Sequence, residues 1–391
     1  LRAPESAAPV TVTVLMALAL AGTLAAAWRS FRGQDAATGL FWAAGATLFA
    51  PLAALALELG WAPTRTIGPA LWATHVIALA ALMVWLAVLY ARADGESRRR
   101  AALATLSALS LIAFALFIML TETALTVALG ALVVVAAALD RRFRLPEMGL
   151  FIQAAVLVLG YRLFADPGIG WALDAPVWEV ILAFGSASAA LPAAQLLLKD
   201  TERARLGVIL ESGALSFGAV LADVLIFRWL RDSLAGDAFN THWGTTLMAL
   251  PWLMVAFATA WRLQLGGPLT NLRRGFATVT GAVGLAMLAA AAVAANPTGY
   301  QFGHENDVVG PMLLDTLTLA YLLPAALFFA AARLLRHLGP LASIAFYVLS
   351  GALAVLWVGL EIRHFWVGSD LSVRGISQGE QYSYTVAMML G

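Results

Sequence analysis

The sequence predicts an all-α, polytopic transmembrane helical bundle, and three observations carry that prediction. Of the 391 residues, 61% are apolar and only 12% charged, whereas about a quarter of the residues in a soluble domain are charged. So little charge cannot cover a water-facing surface, which leaves lipid as the outer solvent. The mean hydropathy of +0.84 is gathered into runs of about twenty apolar residues, the length a helix needs to cross the hydrocarbon core. Finally, the basic residues fall into alternate loops between those runs.

Twelve segments qualify as spans, and each is bounded by its loops. Segment 9–28 ends at Arg29 and Arg32, and 36–58 at Glu58 and Trp61. Segments 67–91 and 101–120 flank Arg92, Arg98, Arg99 and Arg100; 123–139 closes on Arg141, Arg142 and Arg144. Segment 147–165 ends near Arg162, and 176–198 and 206–228 flank Lys199, Arg203 and Arg205. Segments 244–262 and 274–296 flank Arg262, Arg273 and Arg274, while 310–333 and 339–360 flank Arg333 and Arg336. A thirteenth run starts near Gln381 and stops after about ten residues, too short to cross. With no initiator Met at the start, the chain reads as one membrane domain, 1–391, cut from a longer protein.

Seventeen of the 24 Lys and Arg residues lie on one side of this arrangement, and seven (Arg2, Arg65, Arg162, Arg228, Arg231, Arg363 and Arg374) on the other. The richer side is cytoplasmic by the positive-inside rule, so the N-terminus is expected outside. About fifteen of the 23 acidic residues and nine of the 13 Trp lean to the outer side. The longer loops, 163–176, 229–243, 297–310 and 361–380, lie there too, and long loops concentrate function. The expected location is the bacterial inner membrane, with membrane lipids and other membrane subunits as partners. A net charge of +1 gives no basic patch for nucleic acid.

Ionisable residues within spans are functional hypotheses by default. Glu58, Glu122, Arg162, Glu179, Asp223, Arg228, Asp315, Glu361 and Arg363 all fall within about one and a half turns of the outer boundary. They form a candidate outer-leaflet polar cluster. Each could instead snorkel to water or pair across helices. Glu361 and Arg363, two residues apart, cannot face each other on a helix, so each should reach for another helix. Glu211 lies near the inner boundary. His75 is the deepest ionisable group, read as a neutral interhelical hydrogen-bonder rather than a ligand. The loop Asn296–Asp307 could place His304, Glu305 and Asp307 at a mouth, or be a plain connection.

No catalytic motif is found: no phosphate-binding glycine loop, Gly-x-Ser-x-Gly, His-Glu-x-x-His or dinucleotide fingerprint. Without cysteine there is no thiolate ligand, nucleophile or disulfide. The five histidines show no i, i+4 ligand spacing. No cofactor, metal or catalytic residue is therefore expected.

Several stretches resemble one bacterial family. They are Asn296-Pro297, Leu319-Ala320-Tyr321-Leu322-Leu323-Pro324-Ala325, Glu361-x-Arg363 and Glu380-x-Tyr382-x-Tyr384. To these are added Leu125–Leu129 running on to Leu139-Asp140-Arg141-Arg142, and Tyr161-Arg162-Leu163-Phe164-Ala165-Asp166-Pro167. The family is that of large membrane proteins catalogued as domain of unknown function 2339, and the resemblance covers about the last 280 residues. It implies a longer parent protein with more spans, and no activity. The expected function is a non-catalytic scaffold or accessory subunit of a membrane assembly, with an envelope lipid or glycan handler and a transporter as the alternatives. A non-catalytic scaffold or accessory subunit needs only helix faces, and an envelope lipid or glycan handler needs an outer-leaflet Glu/Arg cleft. A transporter needs ionisable groups and broken helices near the midplane, where only His75 and the proline-bearing helices offer support.

Overall fold

The computed structural model describes residues 9–390 except 34, 96, 200–202, 235–237, 268 and 300–305, and the side chains of 238 and 390. Helices account for the fold, and no strand occurs among the described residues. In chain order they are α1 (Pro9–Phe31), α2 (Ala36–Trp61), α3 (Pro63–Thr66), α4 (Pro69–Asp94) and α5 (Arg99–Met119). Next come α6 (Glu122–Phe143), α7 (Met148–Phe164), α8 (Gly168–Asp174), α9 (Val177–Leu198) and α10 (Ala204–Ser233). The last are α11 (His242–Trp261), α12 (Thr270–Val293), α13 (Thr318–Leu334), α14 (Pro340–Val367) and α15 (Gln378–Leu390).

Ten of the described helices are long and apolar enough to cross a membrane, and eleven if α7 and α8, bent by 52°, form one broken span. Each of the twelve expected segments overlaps a helix, but the helices in 147–165 and 310–333 are too short to count among the ten. The chain turns at 165–167, so α7 has 17 residues. Helix α13 begins only at Thr318, not at 310 as the apolar run suggested. Gly310 (φ +115°) and Pro311 open an irregular stretch, and Asp315 starts the helix by accepting from the backbone N–H of Leu317 (3.0 Å) and Thr318 (3.1 Å). Elsewhere the starts are local too: Asp35 caps α2 through the Thr38 N–H at 2.6 Å. That backbone hydrogen bond holds the Asp35 carboxyl below the usual carboxylate range.

The chain packs as two compact units, residues 1–214 and 215–391. In the first, buried Ala43, Ala46, Ala50 and Ala54 line one face of α2 at helical spacing. These small side chains let neighbouring backbones approach closely. Trp72, Met83 and Tyr90 of α4 fill the core beside them. In the second, Leu253 of α11 packs on Gly284 of α12, where a Cβ would meet it at 2.7 Å. Tyr321 and Phe328 of α13 are fully buried. Outward faces are as apolar as the cores: Leu59, Leu196 and Leu341 are exposed at 72%, 72% and 81%. Surfaces like these are stable against lipid.

Polar ties join alternate loops at one end of each unit. In the first unit Arg100 donates to the Ser30 carbonyl (2.7 Å) and pairs with Asp94, and Arg98 donates to the Phe143 carbonyl (2.7 Å). Arg203 pairs with the fully buried Asp140 through two contacts of 3.1 and 3.3 Å. In the second unit His337 Nε2 lies 2.9 Å from the Ala260 carbonyl. Removing Arg203 leaves a buried carboxylate unpaired, so Arg203→Ala should destabilise the chain by about 1–3 kcal/mol. Asp140→Ala, which leaves a half-exposed Arg, should cost less. Melting in detergent micelles, read by Trp fluorescence, checks the order; an equal or lower midpoint for Asp140→Ala contradicts it.

Candidate functional site

The charges predicted in the first unit settle into separate local contacts. Glu58 accepts from the Thr64 N–H (3.3 Å), and Glu179 from the Thr123 hydroxyl (3.3 Å). Glu122 is exposed, and it is its backbone carbonyl that accepts from the buried Arg162 (3.1 Å). Arg162 also lies 3.7 Å from Asp166. Half-buried His75 makes no hydrogen bond among the described residues; its ring stacks on Trp72, with centroids 5.5 Å apart. This differs from the hydrogen-bonding role expected, because the same-helix neighbour three residues away claims the ring face. Glu211 is buried near the start of α10.

In the second unit, Asp223 accepts from the indole N–H of Trp252, and Arg228 is half-buried on the same helix. His304 and Glu305 lie outside the described residues. Asp315, Glu361 and Arg363 gather at one end, where α13 begins and α14 finishes.

The segment 306–317 builds this end. Asn306 is buried, accepts from the backbone N–H of His242 (2.9 Å), and donates to the Ala295 carbonyl (2.7 Å). The His242 ring lies between Asn306 Oδ1 (2.7 Å) and the Thr316 hydroxyl (3.1 Å), stacked on Tyr321. Val308 donates to the Ser369 carbonyl at 2.9 Å, stitching the segment to the loop after α14. Gly310 permits the last fold: a Cβ there would meet the Leu314 carbonyl oxygen at 2.8 Å and Asp315 Cα at 2.9 Å.

Asp315 is thereby held with Oδ1 on the α13 start and Oδ2 facing α14. There His364 Nδ1 lies 2.9 Å from Asp315 Oδ2 and 3.9 Å from Glu361 Oε2. One ligand atom from each of the three residues falls within 4.8 Å of the other two. Asp315 Oδ2, both Glu361 oxygens and His364 Nδ1 are buried without a hydrogen bond of good geometry. Arg363 points the other way, as the i, i+2 spacing requires. It pairs with the buried Glu380 of α15 (3.0 Å) and donates to the Leu371 carbonyl (2.7 Å) and to Val373. Tyr384 donates to the same Glu380 (3.0 Å).

Beside this cluster runs an apolar groove of about 270 Å³, walled by Met312, Leu313, Trp357, Val358, Phe365 and Trp366, with Glu361 in its lining. Gly379 packs against the Trp366 ring, where a Cβ would sit 2.4 Å from the indole.

His364, His242, Asn306 and Glu380 carry much of this geometry but were not candidates from sequence. The signal for His364 was present as Glu361-x-x-His364. That i, i+3 spacing puts both side chains on one helix face, whereas the ligand spacing expected of histidines, i, i+4, passes over a Glu–His pair.

The helices and their lipid-facing surfaces define a multi-pass helical membrane protein. Over residues 2–391 the chain matches the family model described as predicted membrane protein (DUF2339), and it belongs to that family. The match extends the resemblance seen in about the last 280 residues to almost the whole chain. Comparison with curated proteins and with solved structures finds no match.

The Arg363 contacts pin the loop 368–375 to α14. Arg363→Gln should release it and speed tryptic cleavage after Arg374 several-fold, with the melting temperature little changed. An unaltered digestion rate would show that the loop is held by other contacts.

Proposed function

We propose that the protein handles a lipid-linked substrate at the outer leaflet of the bacterial inner membrane. The observation that carries this reading is the meeting of two opposite environments at Glu361. Apolar groove walls suit a hydrocarbon chain, and the buried Asp315–Glu361–His364 cluster suits the polar group it carries. Retaining two carboxylates in so dry a place is costly. A scaffold, which needs only helix faces, supplies no reason for it. The groove and cluster take the place of the broader Glu/Arg cleft expected from the charge pattern. Transport has less support, since His75 only stacks on Trp72.

One observation favours the second reading, an accessory subunit of a membrane assembly. Only 6% of the most apolar window of α14 is buried within the chain, so lipid or a partner helix covers the rest.

The topology we infer has twelve crossings, counting α7 and α13 as short ones, with the N-terminus outside. The ties between alternate basic loops support it, because each joins loops assigned to the cytoplasmic side. Asp315, Glu361 and Arg363 then share the outer side.

Two measurements test these readings. The chain has no cysteine, so a single Cys replacing exposed Thr298 should react with an impermeant maleimide on intact cells. One replacing exposed Ser97 should react only after permeabilisation, and the opposite pattern overturns the orientation. In nanodiscs, wild-type protein should retain lipid beyond the annular complement. Val358→Trp, which fills the groove, should lose it. Identical bound lipid in the two proteins rules out the groove as the binding place.

A further inference from the structure

We propose that Asp315, Glu361 and His364 form a binding site for one divalent first-row transition metal ion, with zinc the best match. The inference goes beyond lipid handling and does not depend on it. The donor set is two carboxylate oxygens and one imidazole nitrogen, a combination that suits zinc with a remaining position for water or substrate.

Charge balance points to a cation. Asp315 and Glu361 side chains are 0% and 7% exposed and face the same imidazole nitrogen. No Lys or Arg among the described residues pairs with either. The nearest guanidinium in sequence, Arg363, is committed to Glu380 and two backbone carbonyls. Burial without compensation is expensive for such groups. A bound dication would compensate both carboxylates and give these atoms, which make no hydrogen bond of good geometry, a common partner.

The supports are those of a built site. Asp315 Oδ1 is fixed by two backbone N–H groups, so Oδ2 is aimed at His364, the kind of outer contact that orients a metal-binding carboxylate. Glu361-x-x-His364 repeats the i, i+3 spacing found at carboxylate–histidine metal centres inside helix bundles. A tetrahedron with bonds of about 2.1 Å has edges of roughly 3.4 Å; the His364–Asp315 separation of 2.9 Å is below that edge, and the separations involving Glu361, 3.9 Å and up to 4.8 Å, are above it. Closure requires Glu361 to swing inward by about 1 Å, and its side chain lines the open groove through which an ion would enter.

The test uses the full chain in nanodiscs, stripped with chelator and titrated with Zn²⁺ against a chromophoric competitor. Wild-type protein should take up one equivalent. Glu361→Gln and His364→Gln should each weaken binding by at least about tenfold, the lower end of what outer-contact mutations alone cost. Glu58→Gln, far from the three residues in sequence and hydrogen-bonded only locally, should bind as wild type. Zinc-edge X-ray absorption of the wild type should show one imidazole with oxygen donors and no sulfur, and this reading needs no variant to fold. Absence of saturable uptake by wild type, equal uptake by both site variants, or a spectrum without imidazole would each overturn the assignment.

Discussion

An apolar solvent offers no hydrogen-bond partner, and the second unit is organised by that constraint. Pro324 cannot donate to Ala320 four residues earlier, and the helix meets this with a π turn at Thr318–Leu322. The Thr246 hydroxyl donates to the Ala320 carbonyl at 3.2 Å in place of the missing N–H. The Ser350 hydroxyl likewise donates to the Ala325 carbonyl (2.8 Å), and the Tyr321 hydroxyl to the Ala291 carbonyl (3.1 Å). Each of these bonds crosses between helices, so meeting local backbone demands also fixes which helices lie together. Against that background, the buried carboxylates of Asp315 and Glu361 stand out at the α13–α14 end, where they share one imidazole and no Lys or Arg among the described residues pairs with them.

The arginines that orient a membrane protein also cross-link it. Arg98, Arg100 and Arg203 lie in loops set by the positive-inside pattern, yet each reaches a carbonyl or carboxylate of a neighbouring loop. Arg100 stands over the Tyr90 ring as well, 5.0 Å from its centroid, while the Tyr90 hydroxyl meets Ser30 at 2.7 Å. One residue thus joins the ends of three helices. A partly desolvated guanidinium gains more from such contacts than a surface pair would.

Helix identity was legible in the sequence because lipid imposes a length and a polarity that twenty residues display by themselves. Helix ends were less so: the apolar run 310–333 contains Gly310, Pro311 and Asp315, whose effects are geometric and hardly alter hydropathy. Charges in apolar surroundings marked Asp315, Glu361 and Arg363 correctly as residues needing partners, and the helical period showed that Glu361 and Arg363 must diverge. The partners stayed hidden. His242 meets Asn306 across 64 residues and Thr316 across 74, and no local pattern encodes such distances. Glu380 looked like part of a family motif, yet its role is to hold Arg363.

The lateness of the α13 start has a mechanical consequence. Seventeen residues rise about 25 Å, while a hydrocarbon core is about 30 Å thick. Seated in a bilayer, that face of the molecule presents loop backbone where its neighbours present helix. Acyl chains alongside must shorten or splay to keep those polar edges wet. If α13 does cross, a bilayer around the protein would be drawn in where that helix begins, and phospholipid head groups there would ride lower than along α14.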